Sequence, residues 1–89
     1  MHFKRTAEFK RSVKRMRRRG KTLDKLEVLL RLLAQGKPLP VRYRDHKLAG
    51  NYADCRECHI EPDWILIYQF DSEGNCVMLI DTGTHADLF

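Results

Sequence analysis

No apolar run in this 89-residue chain approaches the roughly 20 residues that span a bilayer, which excludes a membrane-spanning helix. The N-terminal "MHFKRTAEFKR" contains no apolar stretch that could serve as the core of a signal peptide, so a cytoplasmic protein is expected. There is no internal repeat, linker or low-complexity segment, and residues 1–89 are expected to form one small domain. Cysteines number only three, too few for a disulfide framework, and in a reducing compartment they are expected to be free thiols. Acidic residues are scarce at one end. Residues 1–44 hold 15 Lys/Arg against 3 Asp/Glu, a local +12, whereas residues 45–89 hold 2 against 9, a local −7. A run such as "KRMRRRGK" exceeds what solubility requires and points to a polyanion or to an acidic covering protein.

The patterning that is present predicts an α+β fold. "MHFK" reads as a short edge strand. Thr6 then offers an N-cap, Phe9, Val13 and Met16 follow at helical spacing, and Gly20 stops the helix. Thr22 is placed to cap a second helix carrying Leu23, Leu26, Leu29, Leu30 and Leu33, closed by Gly36, Pro38 and Pro40. Beyond Pro40 the pattern becomes strand and turn: "NYADCRECHIE", then "EPD" as a turn, "WILIYQF" apolar on both faces as in a central strand, "DSEGN" with Gly74 as a hairpin loop, and "CVMLID". The expected architecture is an N-terminal helical hairpin packed on one face of a small twisted antiparallel sheet, with the other face open.

"CRECH", residues 55–59, matches the string used for covalent haem attachment, and Cys55, Cys58, Cys76 and His59 have the residue types of a zinc knuckle. Alternation argues against both. In a regular strand Cys55 and Cys58 face opposite ways, and no Gly or Pro between Tyr52 and Glu61 suggests a loop. Cys58 and Ile60 are expected in the core beneath the helices, with Cys55, Glu57, His59 and Glu61 on the open face. Zinc through Cys55 and Cys58 stays a competing reading.

Three histidines, His46, His59 and His85, lie in the second half, each beside a turn or strand end, and Asp63 sits across a turn from His59. Imidazoles titrate near neutrality, so a pair can take and give protons in one reaction, and a carboxylate can orient one of them. Trp64 and Phe89 are candidates to stack on unpaired bases. Acid–base groups, cations and aromatic platforms on an open sheet are the parts of a ribonuclease that works without metal or other cofactor. In that reaction a ribose 2′-hydroxyl attacks the adjacent phosphate, and the products are a 2′,3′-cyclic phosphate and a 5′-hydroxyl. The competing class is an RNA- or ribosome-binding module without chemistry.

"RDHKLAGNY", "CHIEPDWILIY" and "TGTHADLF" resemble, in order and spacing, the motifs of the YafQ branch of the RelE-like bacterial toxins, and the likeness covers nearly the whole chain. The resemblance implies an mRNA interferase that enters the ribosomal A site and cuts the messenger. It also implies a cognate antitoxin that silences the toxin, often in a heterotetramer, and operator DNA bound only through that antitoxin. The matching catalytic positions are His46, His59, Asp63 and His85, with Trp64 and Phe89 supporting the RNA and His85 favoured as the acid. Many relatives carry Arg immediately before the Thr-Gly step, where this chain has Asp81. Arg44, Lys47 and Arg56 are the candidates to supply the missing charge.

Overall fold

The computed structural model describes residues 2–71, 73 and 75–89; the Gly74 hairpin turn expected from sequence lies outside the described residues. Strand β1 (His2–Arg5) leads into helix α1 (Ala7–Arg18), helix α2 (Asp24–Ala34), a two-residue strand β2 (His46–Lys47), strands β3 (Arg56–Glu61), β4 (Trp64–Phe70) and β5 (Cys76–Gly83), and a one-turn helix α3 (His85–Leu88). Single 3₁₀ turns at Val41–Tyr43 and Gly50–Tyr52 bracket β2. The sheet order is β1-β5-β4-β3-β2, so the apolar "WILIYQF" strand is central, as its two-faced apolarity required.

Two expectations about the architecture need correction. The helices are not N-terminal, because β1 precedes them. The sheet is mixed, because β1 runs parallel to β5, with His2 opposite Cys76 and Arg5 opposite Leu79. The geometry explains this: α1 and α2 carry the chain from β1 across one face to β2 at the far edge, and β2, β3, β4 and β5 then alternate in direction, which brings β5 back beside β1 pointing the same way.

The Thr6 hydroxyl accepts from the Phe9 amide at 3.0 Å and caps α1. Gly20, at φ +90°, ends it with the Lys21 amide bonding back to the Met16 carbonyl, a turn that a Cβ would strain. Thr22 does not cap α2; the boundary residue is Leu23, and no side chain takes the cap role. Between the helices and the sheet lies the main core of Phe9, Met16, Leu26, Leu29, Leu33, Tyr43, Cys58, Trp64, Leu66, Tyr68, Val77 and Leu79.

The opposite face is open only in part. Cys55, Ile65 and Ile67 are buried there beneath Leu48, Tyr52, Ile80 and Leu88. This second cluster draws the segment after β2 and helix α3 over the sheet. It explains why "NYAD" forms a turn rather than the start of β3: Tyr52 is needed as a lid. Cys55 and Cys58 belong to different clusters on opposite faces. They cannot share a zinc ion, and burial pushes both thiols upward, away from the thiolate a metal needs. Among the described residues, no helix is long and apolar enough to cross a membrane.

Candidate functional site

Alternation along β3 puts Cys58 under the helices and turns Glu57 and His59 to the other face. Antiparallel pairing sets His46 of β2 directly opposite Glu57. The β3–β4 turn carries Asp63, and β5 delivers His85 at the start of α3. Three imidazoles thereby line up, with ring centroids 6.5 Å apart for His46 and His59 and 5.6 Å for His59 and His85. Phe89 extends the row, 6.2 Å from His85 and edge-on to Tyr52 at 5.8 Å.

Each ring is held the same way. Nδ1 of His46 meets the Arg44 carbonyl at 2.7 Å, Nδ1 of His59 meets the Pro62 carbonyl at 3.2 Å, and Nδ1 of His85 meets the Asp63 carboxylate at 3.0 Å. These oxygens only accept, so each Nδ1 carries a proton and each Nε2 faces inward. All three Nε2 atoms converge on Glu57, at 2.8 Å from His46 and 3.9 Å from both His59 and His85. Glu57 is only 4% exposed, and its Oε1 has no hydrogen-bond partner among the described residues. A buried carboxylate oxygen without a hydrogen bond costs about 1–3 kcal/mol, which singles out Glu57 within the site. Glu57 is the residue that sequence reasoning missed. Alternation placed it on the correct face, but the two-residue strand that brings His46 to it carries no pattern of its own.

Asp63 accepts from both the backbone N–H and the ring of His85, each at 3.0 Å. The backbone bond first, then the ring bond, holds this carboxyl below its usual range. Helix α3 is a single turn and depends on its ends. Thr84 and Asp87 form a reciprocal capping box. Arg19, just past α1, grips Asp87 through both guanidinium nitrogens at 2.6 and 3.1 Å, and this pairing foremost pulls the Asp87 carboxyl far below its ordinary value. A Cβ at Gly83 would lie 2.9 Å from the Asp87 side chain, which explains the glycine.

Other candidates lie elsewhere. Trp64 is fully buried in the main core and donates its indole N–H to the Thr82 hydroxyl at 2.9 Å, so it offers no face to a base. Arg56 points to the helix side and is paired with Asp45, which also accepts from the Tyr68 hydroxyl. Lys47 stands opposite Arg56 in register and so turns away from His46 and the site. A register shift between His59 and Glu61 swings Glu61 to the helix side, where Lys21 and Lys25 hold it. Asp81 accepts from the Ser12 hydroxyl of α1 and does not reach the histidines. Arg44 remains as the exposed cation next to the row, in a left-handed conformation at φ 49°. Phe89 is 62% exposed and free to stack.

All of residues 1–89 match the family described as "Bacterial toxin of type II toxin-antitoxin system, YafQ". The chain belongs to the YafQ toxin family. It is 40% identical over 85 residues to the Escherichia coli K12 mRNA interferase toxin YafQ, covering 94% of this chain and 90% of the relative. The crystal structure of the E. coli DinJ–YafQ complex contains a chain that matches at TM-score 0.88 and 39% identity, over 98% of this chain and 96% of that one. The crystal structure of a metal-bound toxin from Helicobacter pylori matches at TM-score 0.91 and 34% identity, over 100% and 99%. Within this YafQ-family chain, Glu57, His59 and His85 also bring one donor atom each to within 4.8 Å of one another, two imidazole nitrogens and one carboxylate oxygen.

Proposed function

We propose that this YafQ-family toxin is an endoribonuclease that cuts mRNA in the ribosomal A site by side-chain acid–base chemistry. The observation that carries the reading is the convergence of three Nε2 atoms on one buried carboxylate. The His46–Glu57 pair takes the 2′-hydroxyl proton, and the freed oxygen attacks the adjacent phosphorus. His85, with its far nitrogen fixed by Asp63, gives its Nε2 proton to the departing 5′-oxygen. His59, between them, and Arg44 meet the negative charge that builds on the phosphorane. The proton count balances: one is taken at one end of the row and one is delivered at the other. Phe89 stacks on a base beside the cut.

The partners follow from the same reading. The +12 segment fits ribosomal RNA and the message backbone. It also fits an acidic antitoxin, in a heterotetramer that reaches operator DNA only through the antitoxin; E. coli YafQ forms a complex with DinJ. Induced expression in bacteria with primer extension on a message tests the reaction. In-frame cuts that disappear in His85→Ala support it; growth arrest that survives that substitution without cuts favours a binding module.

A second reading concerns metal. Two imidazoles and a carboxylate suit a divalent transition ion, and a metal-bound relative is known from H. pylori. Such an ion would occupy the nitrogens that the reaction uses and act as an inhibitor. Calorimetric titration with zinc or copper tests this: binding lost in both His59→Ala and His85→Ala, with message cleavage falling as the ion is added, is the expected result.

A further inference from the structure

Beside His59, with Arg44 but not His85 in its lining, a groove of about 440 Å³ opens between α2, the 3₁₀ turn Val41–Tyr43 and the β3–β4 turn. Its apolar lining includes Val28, Ile60 and Pro62, and Val28 is 45% exposed on a helix that buries Leu26, Leu29 and Leu33. Its charged lining includes Arg42 and Arg44, and neither has a carboxylate partner among the described residues. Of the acidic lining, Glu61 is already held by Lys21 and Lys25, leaving Asp24 at the start of α2. The Arg42 guanidinium lies 4.9 Å from the Tyr43 ring centroid and is held there, a planar cation ordered before anything binds.

Apolar floor, planar cation and unpaired positive charge together suit a nucleobase with its phosphate. The groove is continuous with the site, because His59 lines both and the Arg44 carbonyl fixes His46. Its orientation follows from the proposed roles, on which this inference rests. The oxygen protonated by His85 belongs to the nucleoside 3′ of the cut, which therefore lies toward Phe89. The nucleoside that supplies the attacking 2′-hydroxyl lies at the other end of the row. We propose that this groove is the subsite for the nucleoside 5′ of the cut, its base resting on Val28, Ile60 and Arg42 and its phosphate meeting Arg44.

A substitution cycle tests this on ribosomes programmed with messages that are intact, abasic on the 5′ side of the cut, or abasic on the 3′ side. The toxins compared are the native chain, Val28→Glu and Arg42→Ala. With the native toxin, the 5′ abasic message should lose roughly tenfold or more in kcat/KM. Val28→Glu should lose a similar factor on the intact message and little more on the 5′ abasic one, since both changes remove the same contact. The 3′ abasic penalty should be equal in native and variant toxins. Additive losses on the 5′ side, or non-additive losses on the 3′ side, overturn the assignment. So does full cleavage by both variants with loss only of binding to an acidic peptide, which would make the groove a partner's dock. Val28 is half exposed, so the fold should survive; if it does not, Arg42→Ala completes the same cycle. A native toxin that leaves every intact message uncut would instead defeat the ribonuclease reading itself, and a His85→Ala toxin that cuts at the native rate would defeat the orientation taken from His85.

Discussion

His46 Nε2 and Glu57 Oε2 lie 2.8 Å apart, while the opposite nitrogen of the same ring already gives its proton to the Arg44 carbonyl. The contact sets the inward nitrogen beside a buried carboxylate, so the pair is placed to act as a base. Replacing Glu57 by Gln keeps the shape and removes the charge. Message cleavage should fall roughly 10²-fold or more. Because the native Oε1 is buried without a hydrogen-bond partner among the described residues, the melting temperature should stay level or rise by a few degrees, about 4–8 °C per kcal/mol in a domain of this size. Differential scanning fluorimetry beside a cleavage assay reads both. A variant that is both inactive and markedly less stable would assign Glu57 a structural role instead.

Asp63 bonds to the backbone and the ring of His85 together. Asp63→Asn should lower kcat by roughly 10²-fold and leave KM nearly unchanged, because it releases the orientation of the acid rather than the RNA. Single-turnover cleavage separates the two constants. A change confined to KM would move Asp63 from the proton path to substrate binding.

Acid stability has a defined sign. The Asp87 carboxyl is held low chiefly by Arg19, and the Glu61 carboxyl chiefly by Lys21. A depressed folded value means that these carboxylates stabilise the protein above their unfolded value of about 4, and that the contribution is lost as pH falls through the folded value. Melting temperature should therefore decline from about pH 4 downward. Asp87→Asn should melt lower at pH 7 and decline less steeply in acid. It should also slow cleavage, since α3 carries His85 and Phe89. Thermal melts by circular dichroism between pH 2 and 7 read the slopes; parallel native and variant curves would contradict the Arg19–Asp87 assignment.

The two aromatic candidates should separate cleanly. Trp64→Phe removes core volume and the bond to Thr82 and should cost about 1–3 kcal/mol, with activity per folded molecule nearly unchanged. Phe89→Ala should leave stability almost untouched and weaken cleavage roughly tenfold, the worth of one base stacked on an aromatic ring. Denaturant melts and cleavage rates on the same preparations decide this, and a Trp64→Phe toxin that is stable but inactive would reverse the assignment.

How far the sequence could be read differs by element. Helix α1 and strand β4 were legible to within a residue or two because each carries its own periodicity and its own stops. Alternation also put Cys58 and His59 on their correct faces. The parallel pairing of β1 with β5 was not legible, since four residues set no preference for a partner far along the chain. The shift after His59 hid the turn of Glu61 toward Lys21, because a bulge inverts alternation without a sequence mark. Trp64 opens a strand next to the site, yet it alternates in step with Leu66 and Tyr68 and so faces the main core. At the site, the histidines announced themselves by residue type, and Glu57 became visible only when a two-residue strand was seen to face it with His46.

The parallel pairing also orders events during synthesis. His2 to Arg5 are made before the strand they pair with among the described residues, Cys76 to Gly83, and His85 follows shortly after it. The sheet cannot close, and the row of imidazoles cannot assemble, until that later strand has been made. The catalytic arrangement proposed for these side chains is therefore a property of the closed sheet and of no shorter piece of it.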